Sequence, residues 1–383
     1  MRANRRGIAL VLAMWVLVAL LLLAGGLALK VRADVQISRN FADLIRCRWA
    51  AVAGINYALL QVKELAKQPN LYLGEEGMAI TSDPEVYELD DLTYDVTITD
   101  EAGKVDINTA SADVLEALFG SREIAESIVD WRDTDDTPGP QGAENEYYAS
   151  LPRPYKCKNA PFETVEELLL VKGITRDMLT KPAEGETLPL EACLTIYSED
   201  KNQTVDGKAR VNIKTANQSA LKSALSDALT DQDIAAIIQQ REARMFTTAG
   251  EIINVTGLSR EKVQSIYDRL TVSDEKTLRG LININTAPLK VFTSLPGMDS
   301  DVANAIIEHR QSEGPFTDVG QLLTVNEMNS ATFAAVADMC TVRSQVFNIA
   351  STGHRSDGWA TRTVTCVVDF AGSSSTQTVY WRE

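Results

Sequence analysis

Histidine is almost missing from this chain, which has only His309 and His354 among its 383 residues. Histidine-based metal sites and catalytic triads are therefore not expected, because both depend on imidazole side chains. The five cysteines include no C-x-x-C pair, so neither a zinc site nor a thioredoxin-like redox site is indicated. An exported hydrolase would need a nucleophile beside a base or a catalytic metal site, and no such arrangement is apparent. We therefore predict that the protein is not an enzyme.

Acidic residues are missing from the first 32 positions, which contain five basic ones. The remaining positions contain 32 basic and 53 acidic residues, so their net charge is −21. Because like charges repel, a body with this charge is a poor ligand for nucleic acid, whereas it can attract divalent cations.

Residues 8–29 contain no charged side chain. A helix of this length rises about 1.5 Å per residue and can cross a bilayer core about 30 Å thick. The segment is longer than the apolar region of an ordinary signal peptide, and no clear cleavage site directly follows it. Arginines at positions 2, 5 and 6 favour a cytoplasmic N-terminus and an exported body.

The apolar pattern continues beyond the segment that can cross the membrane, and no proline occurs before Pro69. We predict one helix over residues 8–67, whose second half packs on the body through a stripe of apolar residues at helical spacing. That stripe consists of Phe41, Ile45, Trp49, Val52, Ile55, Leu59 and Val62.

A long helix directly after "RRG" resembles the start of type IV pilins and type II secretion pseudopilins. The resemblance implies that residues 1–7 are a leader, which a prepilin peptidase removes by cutting between Gly7 and Ile8 before the new N-terminus is methylated. Most pilins have glutamate as the fifth mature residue, and here that position is Leu12. A plain signal anchor is the alternative interpretation of this segment.

Two β-rich regions, 68–108 and 343–383, flank a threefold repeat. The repeat predicts helical units at 109–208, 209–280 and 281–342, each beginning near an N/D-I-x-T-A motif. Each unit later contains an arginine, a phenylalanine and, five residues after the phenylalanine, Glu or Gln. These residues are Arg132, Arg241 and Arg310, then Phe162, Phe246 and Phe316, and finally Glu167, Glu251 and Gln321.

The third unit resembles the helix-hairpin-helix modules of exported competence DNA receptors. Such hairpins bind phosphate through backbone N–H groups at a helix N-terminus. In this chain Asp299 and Asp301 stand on that approach and would repel a polyanion. We therefore expect a structural helical fold without nucleic-acid binding, with a membrane-anchored DNA receptor as the alternative.

A dense acidic loop, 133–158, is inserted in the first unit. Clustered carboxylates closed by glycine and proline suit a hard cation with oxygen ligands, although the spacing is not that of an EF-hand. On composition alone a solvated acidic loop is the preferred interpretation. The candidate ligands are Asp133, Asp135, Asp136, Glu144 and Glu146.

The string D-x-D-D-x-P…G-A-E-x-x-Y-Y and the closing "VYWRE" resemble the K class of type II secretion minor pseudopilins. The resemblance implies an α+β pilin-like fold, with a transmembrane helix, an antiparallel sheet and a large inserted domain of helix-hairpin-helix-like (SAM-like) repeats. It makes the five carboxylates calcium ligands and places the protein in the cell inner membrane with a periplasmic body. Leu12 then fits the filament tip.

The same resemblance implies partners. They are the other minor pseudopilins, the prepilin peptidase and the inner membrane, with the secreted protein and the outer-membrane secretin as further candidates.

An exported chain can form disulfides. We expect the pairs Cys157–Cys193 and Cys340–Cys366, with Cys47 left alone in the long helix.

Overall fold

The computed structural model describes residues 5–65, 91–370 and 377–382. The chain is a four-stranded sheet with one long helix on its face and a large helical domain inserted between the first two strands of that sheet. The strands are β1 Leu92–Asp100, β2 Val105–Asp106, β3 Leu194–Thr195, β4 Glu199–Lys201, β5 Val211–Asn212, β6 Leu270–Thr271, β7 Thr277–Arg279, β8 Ile282–Asn283, β9 Cys340–Thr341, β10 Val346–Arg355, β11 Thr361–Asp369 and β12 Gln377–Arg382. The α-helices are α1 Arg5–Leu65, α2 Ala112–Phe119, α3 Arg122–Arg132, α4 Asn145–Ala149, α5 Arg176–Thr180, α6 Gln218–Leu225, α7 Asp231–Ala243, α8 Arg260–Ile266, α9 Leu289–Phe292, α10 Ser300–Ser312 and α11 Ser330–Val336. Short 3-10 helices cover Val165–Leu170, Ala249–Asn254 and Val319–Thr324, among other segments.

α1 is one uninterrupted helix of 61 residues. Its N-terminal part is long and apolar enough to cross a membrane, by length and composition. Residues 1–4 of the predicted leader and the region 66–90 lie outside the described residues.

The main sheet has the antiparallel order β1-β10-β11-β12. α1 lies across β1, β10 and β11, and the backbones approach closely. A Cβ at Gly353 would lie 1.9 Å from the Cys47 carbonyl oxygen, and a Cβ at Gly54 would lie 2.2 Å from Ser351 Oγ. Only small residues permit this contact, so the interface is lined by glycine, alanine and serine.

The predicted apolar stripe on α1 is only partly the buried face. Ile55 and Val62 are buried against the sheet, but Phe41, Ile45 and Trp49 are exposed by 64%, 39% and 59%. The buried face instead consists mainly of small residues that do not stand out as hydrophobic. They are Cys47, Ala50, Ala51, Gly54 and Ala58.

The three helical units share one closure. In each unit a two-residue strand at the start pairs in parallel with a two-residue strand at the end. The pairs are β2 with β3, β5 with β6, and β8 with β9. The units therefore extend over residues 105–195, 211–271 and 282–341.

The repeated arginine closes each unit from the inside. Its guanidinium donates to two carbonyl oxygens of the N/D-I-x-T-A turn, the isoleucine and the final alanine, and this explains why the arginine recurs. The bonds are Arg132 to Ile107 O and to Ala110 O (2.5 Å), Arg241 to Ile213 O (3.1 Å) and Ala216 O (2.7 Å), and Arg310 to Ile284 O (2.9 Å) and Ala287 O (3.0 Å).

The repeated Glu or Gln also has a local role. In each unit its side chain accepts a hydrogen bond from the backbone N–H four residues earlier, at the turn that begins the 3-10 helix. The bonds are Glu163 N to Glu167 (2.9 Å), Thr247 N to Glu251 (2.7 Å) and Thr317 N to Gln321 (2.7 Å).

The following turn needs glycine in only two of the three units. Gly173 and Gly257 have φ values of 82° and 92°, which a side chain rarely tolerates. Glu327 occupies the equivalent position in the third unit. Its φ is not positive, so a residue with a side chain replaces glycine there without backbone strain.

The disulfide prediction is wrong for this structure, in which all five cysteines are free and buried. Cys340 belongs to the core of the helical domain, whereas Cys366 belongs to the core between α1 and the sheet, so the two lie in different cores. The Cys157 thiol donates to the Asp130 carbonyl oxygen at 3.8 Å, and burial raises the pKa of both Cys157 and Cys193.

We expect Arg310→Met to destabilise the third unit by about 2–4 kcal/mol, because two carbonyl oxygens lose their donor in a place that water does not reach. Arg310 is 5% exposed. Arg241→Met is the matched control: Arg241 is only half-buried, so water can replace its bonds, and the loss should stay below about 1.5 kcal/mol. Urea unfolding of the detergent-solubilised chain measures both. Equal losses would contradict the burial argument.

Candidate metal centre

The acidic loop is organised by carboxylates on α3. Glu126 and Asp130 are one helical turn apart, and both are buried. The loop folds back over them and donates backbone N–H groups: Gln141 N to Glu126 (2.6 Å), and Gly139 N and Ala143 N to Asp130 (3.1 and 2.7 Å). Carboxylates of the helix therefore fix the conformation of the loop through charge-assisted hydrogen bonds.

A glycine is required where the loop passes Asp130. A Cβ at Gly142 would lie 1.8 Å from Asp130 Oδ2, and one at Gly139 would lie 3.2 Å from Glu126 Oε2. The glycines in the motif therefore serve close approach of the backbone to the carboxylates.

Three carboxylates converge at the mouth of this loop. One oxygen each of Asp130, Asp133 and Glu144 lies within 4.8 Å of the other two. Oxygens that bind one calcium ion at about 2.3–2.6 Å can be separated by up to about 5 Å, so the spacing suits such an ion.

Glu144 is the most informative member of the cluster. Its side chain is 3% exposed, and neither carboxylate oxygen accepts a hydrogen bond within the described residues. Burial, together with the negative charges of Asp130, Asp133 and Asp136, raises its pKa to about 7. Burial also raises the pKa of Asp130 and of Asp133. An ionised carboxylate without a partner is unfavourable in such a place, and a bound cation would remove the penalty.

The structure brings two of the five predicted ligands into this cluster, Asp133 and Glu144. Asp135 accepts the Thr137 N–H (2.8 Å), and Asp136 accepts the Asn145 side-chain amide (2.6 Å). Glu146 is exposed in the first turn of α4.

Asp130 was not among the predicted ligands because the family motif that assigned them begins at Asp133. The sequence did contain a signal for Asp130 as a further ligand. It lies three residues before Asp133, and residues at that spacing lie on the same face of a helix.

Two asparagines tie the loop to the following segment. Asn145 donates to Asp136 and accepts the Cys157 N–H at 2.9 Å. Asn159 adopts a positive φ of 47° and donates to the Asp135 carbonyl oxygen and, at 3.3 Å, to Asp136. Its own side-chain oxygen is buried without a hydrogen bond in the described structure. Neutral amide groups therefore hold the acidic loop closed.

The predicted processing and tip residues lie on α1 and not in this loop. Gly7 and Ile8 belong to the first turns of α1, and Leu12 is 63% exposed on the same helix. Nothing in the geometry tests the cleavage between Gly7 and Ile8.

Two family models match parts of the chain. The model described as "Type II secretion system (T2SS), protein K" matches residues 98–183, and that of the helix-hairpin-helix motif matches residues 279–341. The first match covers residues 105–183 of the first helical unit, which include the acidic loop.

Curated relatives are named type II secretion system protein K. The protein from Pectobacterium carotovorum subsp. carotovorum is 30% identical over 36% of this chain and 38% of its own length. The protein from Klebsiella pneumoniae is 24% identical over 72% of this chain and 87% of its own length. A solved GspK-GspI-GspJ complex from enterotoxigenic Escherichia coli contains a chain that is 14% identical, with a TM-score of 0.49; the match covers 92% of this chain and 98% of that one.

We expect Glu144→Gln to stabilise the cation-free protein at pH 8 by about 1–3 kcal/mol. The folded-state pKa of about 7 lies above the ordinary value of 4.5, so wild type loses stability as the pH rises from about 4.5 to 7. At pH 5 the folded carboxyl is already protonated, and the substitution should change little. Thermal unfolding in chelator at the two pH values measures this effect, with the exposed Glu146→Gln as control. A stabilisation of the same size at both pH values would contradict the assignment.

Proposed function

We propose that the chain is a protein K of a type II secretion system, which it resembles, and that it is the minor pseudopilin at the tip of the periplasmic pseudopilus. In this role it takes part in initiating pseudopilus assembly and in exporting proteins across the outer membrane. The observation that carries the proposal is the combination of a long helix, apolar enough to cross a membrane, with a pilin-like sheet that carries a bulky inserted domain.

Leu12 supports a position at the tip. If the chain is cut after Gly7, Leu12 is the fifth mature residue, where pilins that enter a filament carry glutamate to neutralise the N-terminal amine of the subunit above. An unpaired ammonium group in an apolar helix bundle is unfavourable. A subunit without that carboxylate offers no partner to a subunit above, and the inserted domain would also obstruct one.

The proposed partners are the other minor pseudopilins of the same secretion system, with the prepilin peptidase acting on the leader. The inner membrane holds residues 8–29, and the N-terminus lies in the cytoplasm. The secreted protein and the outer-membrane secretin are further candidates for contact with the helical domain.

The DNA-receptor alternative is opposed by the third unit. Asp299 caps α10, and its carboxylate accepts the N–H groups of Asp301 (3.0 Å) and Val302 (2.9 Å). A phosphate would need these donors, which are already used by a negative charge. In the second unit Arg260 donates instead to backbone carbonyls of the third unit, including Leu323 O at 2.6 Å.

Deletion of the gene should abolish export by the type II system, and the wild-type chain should restore it. N-terminal sequencing of the membrane-bound protein should give N-methylated Ile8, because the peptidase acts on the glycine that precedes the apolar helix. An intact Met1, or export that does not depend on the chain, would refute the proposal.

We further propose that the acidic loop binds calcium as a structural ion. Asp130, Asp133 and Glu144 would hold it, and Asp135, Asp136 and Glu146 are the additional ligands that the family resemblance implies. The ion would supply positive charge where buried carboxylates repel one another, so the loop would stay closed over α3.

Calcium should raise the melting temperature of the wild-type protein more at pH 8 than at pH 6. Binding requires Glu144 to lose its proton, and its pKa is about 7, so affinity falls as the pH drops below that value. Thermal unfolding with calcium or with chelator measures this shift, and Glu144→Ala should largely remove it. Elemental analysis that detects no calcium, together with an unchanged melting temperature, would overturn the assignment.

A further inference from the structure

The first helical unit exposes three apolar side chains next to one another. Tyr147, Tyr155 and Leu170 are exposed by 36%, 36% and 45%. The ring of the buried Tyr148 lies between the other two tyrosine rings, with its centroid 5.2 Å from that of Tyr147 and 5.3 Å from that of Tyr155. The Tyr155 hydroxyl donates to the Leu170 carbonyl oxygen at 2.7 Å. Because the unit beneath holds these side chains in place, they offer apolar area to another molecule at a small entropic cost.

Two exposed cations flank this apolar surface. Arg153 and Lys156 lie on either side of Tyr155 along the chain. Neither makes an ion pair with any part of the chain that the structure describes. The surface, called here the aromatic-basic patch, consists of Tyr147, Arg153, Tyr155, Lys156 and Leu170.

The charge of the patch is opposite to that of the body around it. Residues 147–162 contain three basic residues and no acidic one, whereas residues 33–383 carry a net charge of −21. The third of these basic residues, Lys158, pairs with glutamates that lie outside the acidic loop. The loop itself is closed by the neutral amides of Asn145 and Asn159. The two patch cations therefore have no visible task within the chain.

We propose that the aromatic-basic patch is a docking site for an extended acidic segment of a partner protein. Carboxylates of the segment would pair with the two cations, and its apolar side chains would cover the tyrosine rings. Tyrosine and arginine are the residues that most often dominate binding at protein interfaces. The proposal goes beyond the proposed function, which supplies only the compartment in which the partner is met.

The backbone of the patch is prepared for such a contact. Pro152 and Pro154 are both exposed and enclose Arg153. Each proline fixes its own φ near −65°, and Pro154 also restricts the residue before it to extended conformations. The segment that carries the cations therefore loses little backbone freedom when a partner binds.

A second copy of this chain is a poor occupant of the patch. Its most acidic stretch, residues 133–146, is folded back onto α3 by hydrogen bonds to Glu126 and Asp130 and is not extended. The bodies, residues 33–383, also repel each other through their net charge of −21.

Lipid phosphate lies too far away in the proposed orientation. Leu170 ends a 3-10 helix whose Glu166 pairs with Arg382 of the sheet at 3.1 Å. α1 crosses the middle of that sheet at Gly54, which is 25 residues beyond Leu29. At about 1.5 Å per residue the crossing lies about 38 Å beyond the apolar segment, whereas the headgroup layer is only about 5–8 Å thick.

Photo-crosslinking in living cells tests the proposal with the full chain. A photoreactive phenylalanine analogue at Leu170, which leaves both cations in place, should capture a partner protein. Mass spectrometry of the linked peptide should map the link to a segment in which acidic residues outnumber basic ones. The same analogue at Leu188 is the control, because that residue is 44% exposed in the same unit but lies outside the patch, and it should not capture this partner. A link to a basic or uncharged segment, to a second copy of this chain, to lipid or to nothing would overturn the proposal.

The charge requirement is tested by the linked fraction at Leu170. Arg153→Glu combined with Lys156→Glu should lower it roughly tenfold, because like charges then face each other. Arg153→Lys combined with Lys156→Arg should preserve it. Lys208→Glu combined with Lys276→Glu is the matched control, since these cations are also exposed and make no ion pair in the described ranges, and the change in net charge is the same. An unchanged fraction in the patch variant, or an equal fall in the control, would refute the acidic partner.

Discussion

The buried carboxylate of Asp100 holds the sheet and the inserted domain together. It ends β1, where the chain leaves the sheet, and it accepts the Ala102 N–H at 2.9 Å. Its other oxygen accepts Asn283 Nδ2 (2.9 Å), Thr286 Oγ1 (2.6 Å) and Ser344 Oγ (2.6 Å), which belong to the third unit and to the return into β10. Burial raises the pKa of this carboxyl even though all four bonds oppose that shift. A buried carboxylate is tolerated only with such a set of donors, so the start and the end of the insertion are forced to meet there.

The first unit also depends on buried carboxylates, which lie beneath its acidic loop. Arg132 closes the unit on Ile107 and Ala110, and the next residue, Asp133, belongs to the carboxylate cluster. Charge at the cluster therefore acts directly on the end of α3 that carries the closing arginine. The loop thus adds contacts to a unit whose closing arginine, Arg132, is only partly buried, whereas the closing arginine of the third unit, Arg310, is buried.

Much of this architecture could be predicted from the sequence, because residues that make the same contacts in every unit recur at the same positions of the repeat. The arginines and the Glu or Gln residues recur since each makes the same local bonds in every unit, and the length of α1 follows from uninterrupted apolar spacing. The parallel strand pairs could not be predicted, because two residues are too few for a strand pattern. The buried face of α1 was assigned incorrectly because alanine, glycine and cysteine carry the close contact while Phe41 and Trp49 stand out in the sequence. Asp130 was left out of the predicted ligand set because those ligands were taken from a motif that begins at Asp133, whereas the contribution of Asp130 depends on how the loop folds back over α3.

The helical units show how side chains of the same chain can engage the turns of a helix-hairpin-helix scaffold. A helix-hairpin-helix turn leaves N–H groups free at a helix N-terminus, and an anion or a capping side chain can satisfy them. In the third unit Asp299 does so from within the chain, and in the second unit Arg260 is turned toward carbonyls of its neighbour. The groups that could recognise a polyanion are thus engaged within the chain, by a helix cap in the third unit and by a contact between units at Arg260. The same hairpins belong to an acidic body, residues 33–383, whose net charge of −21 disfavours association with further copies of itself.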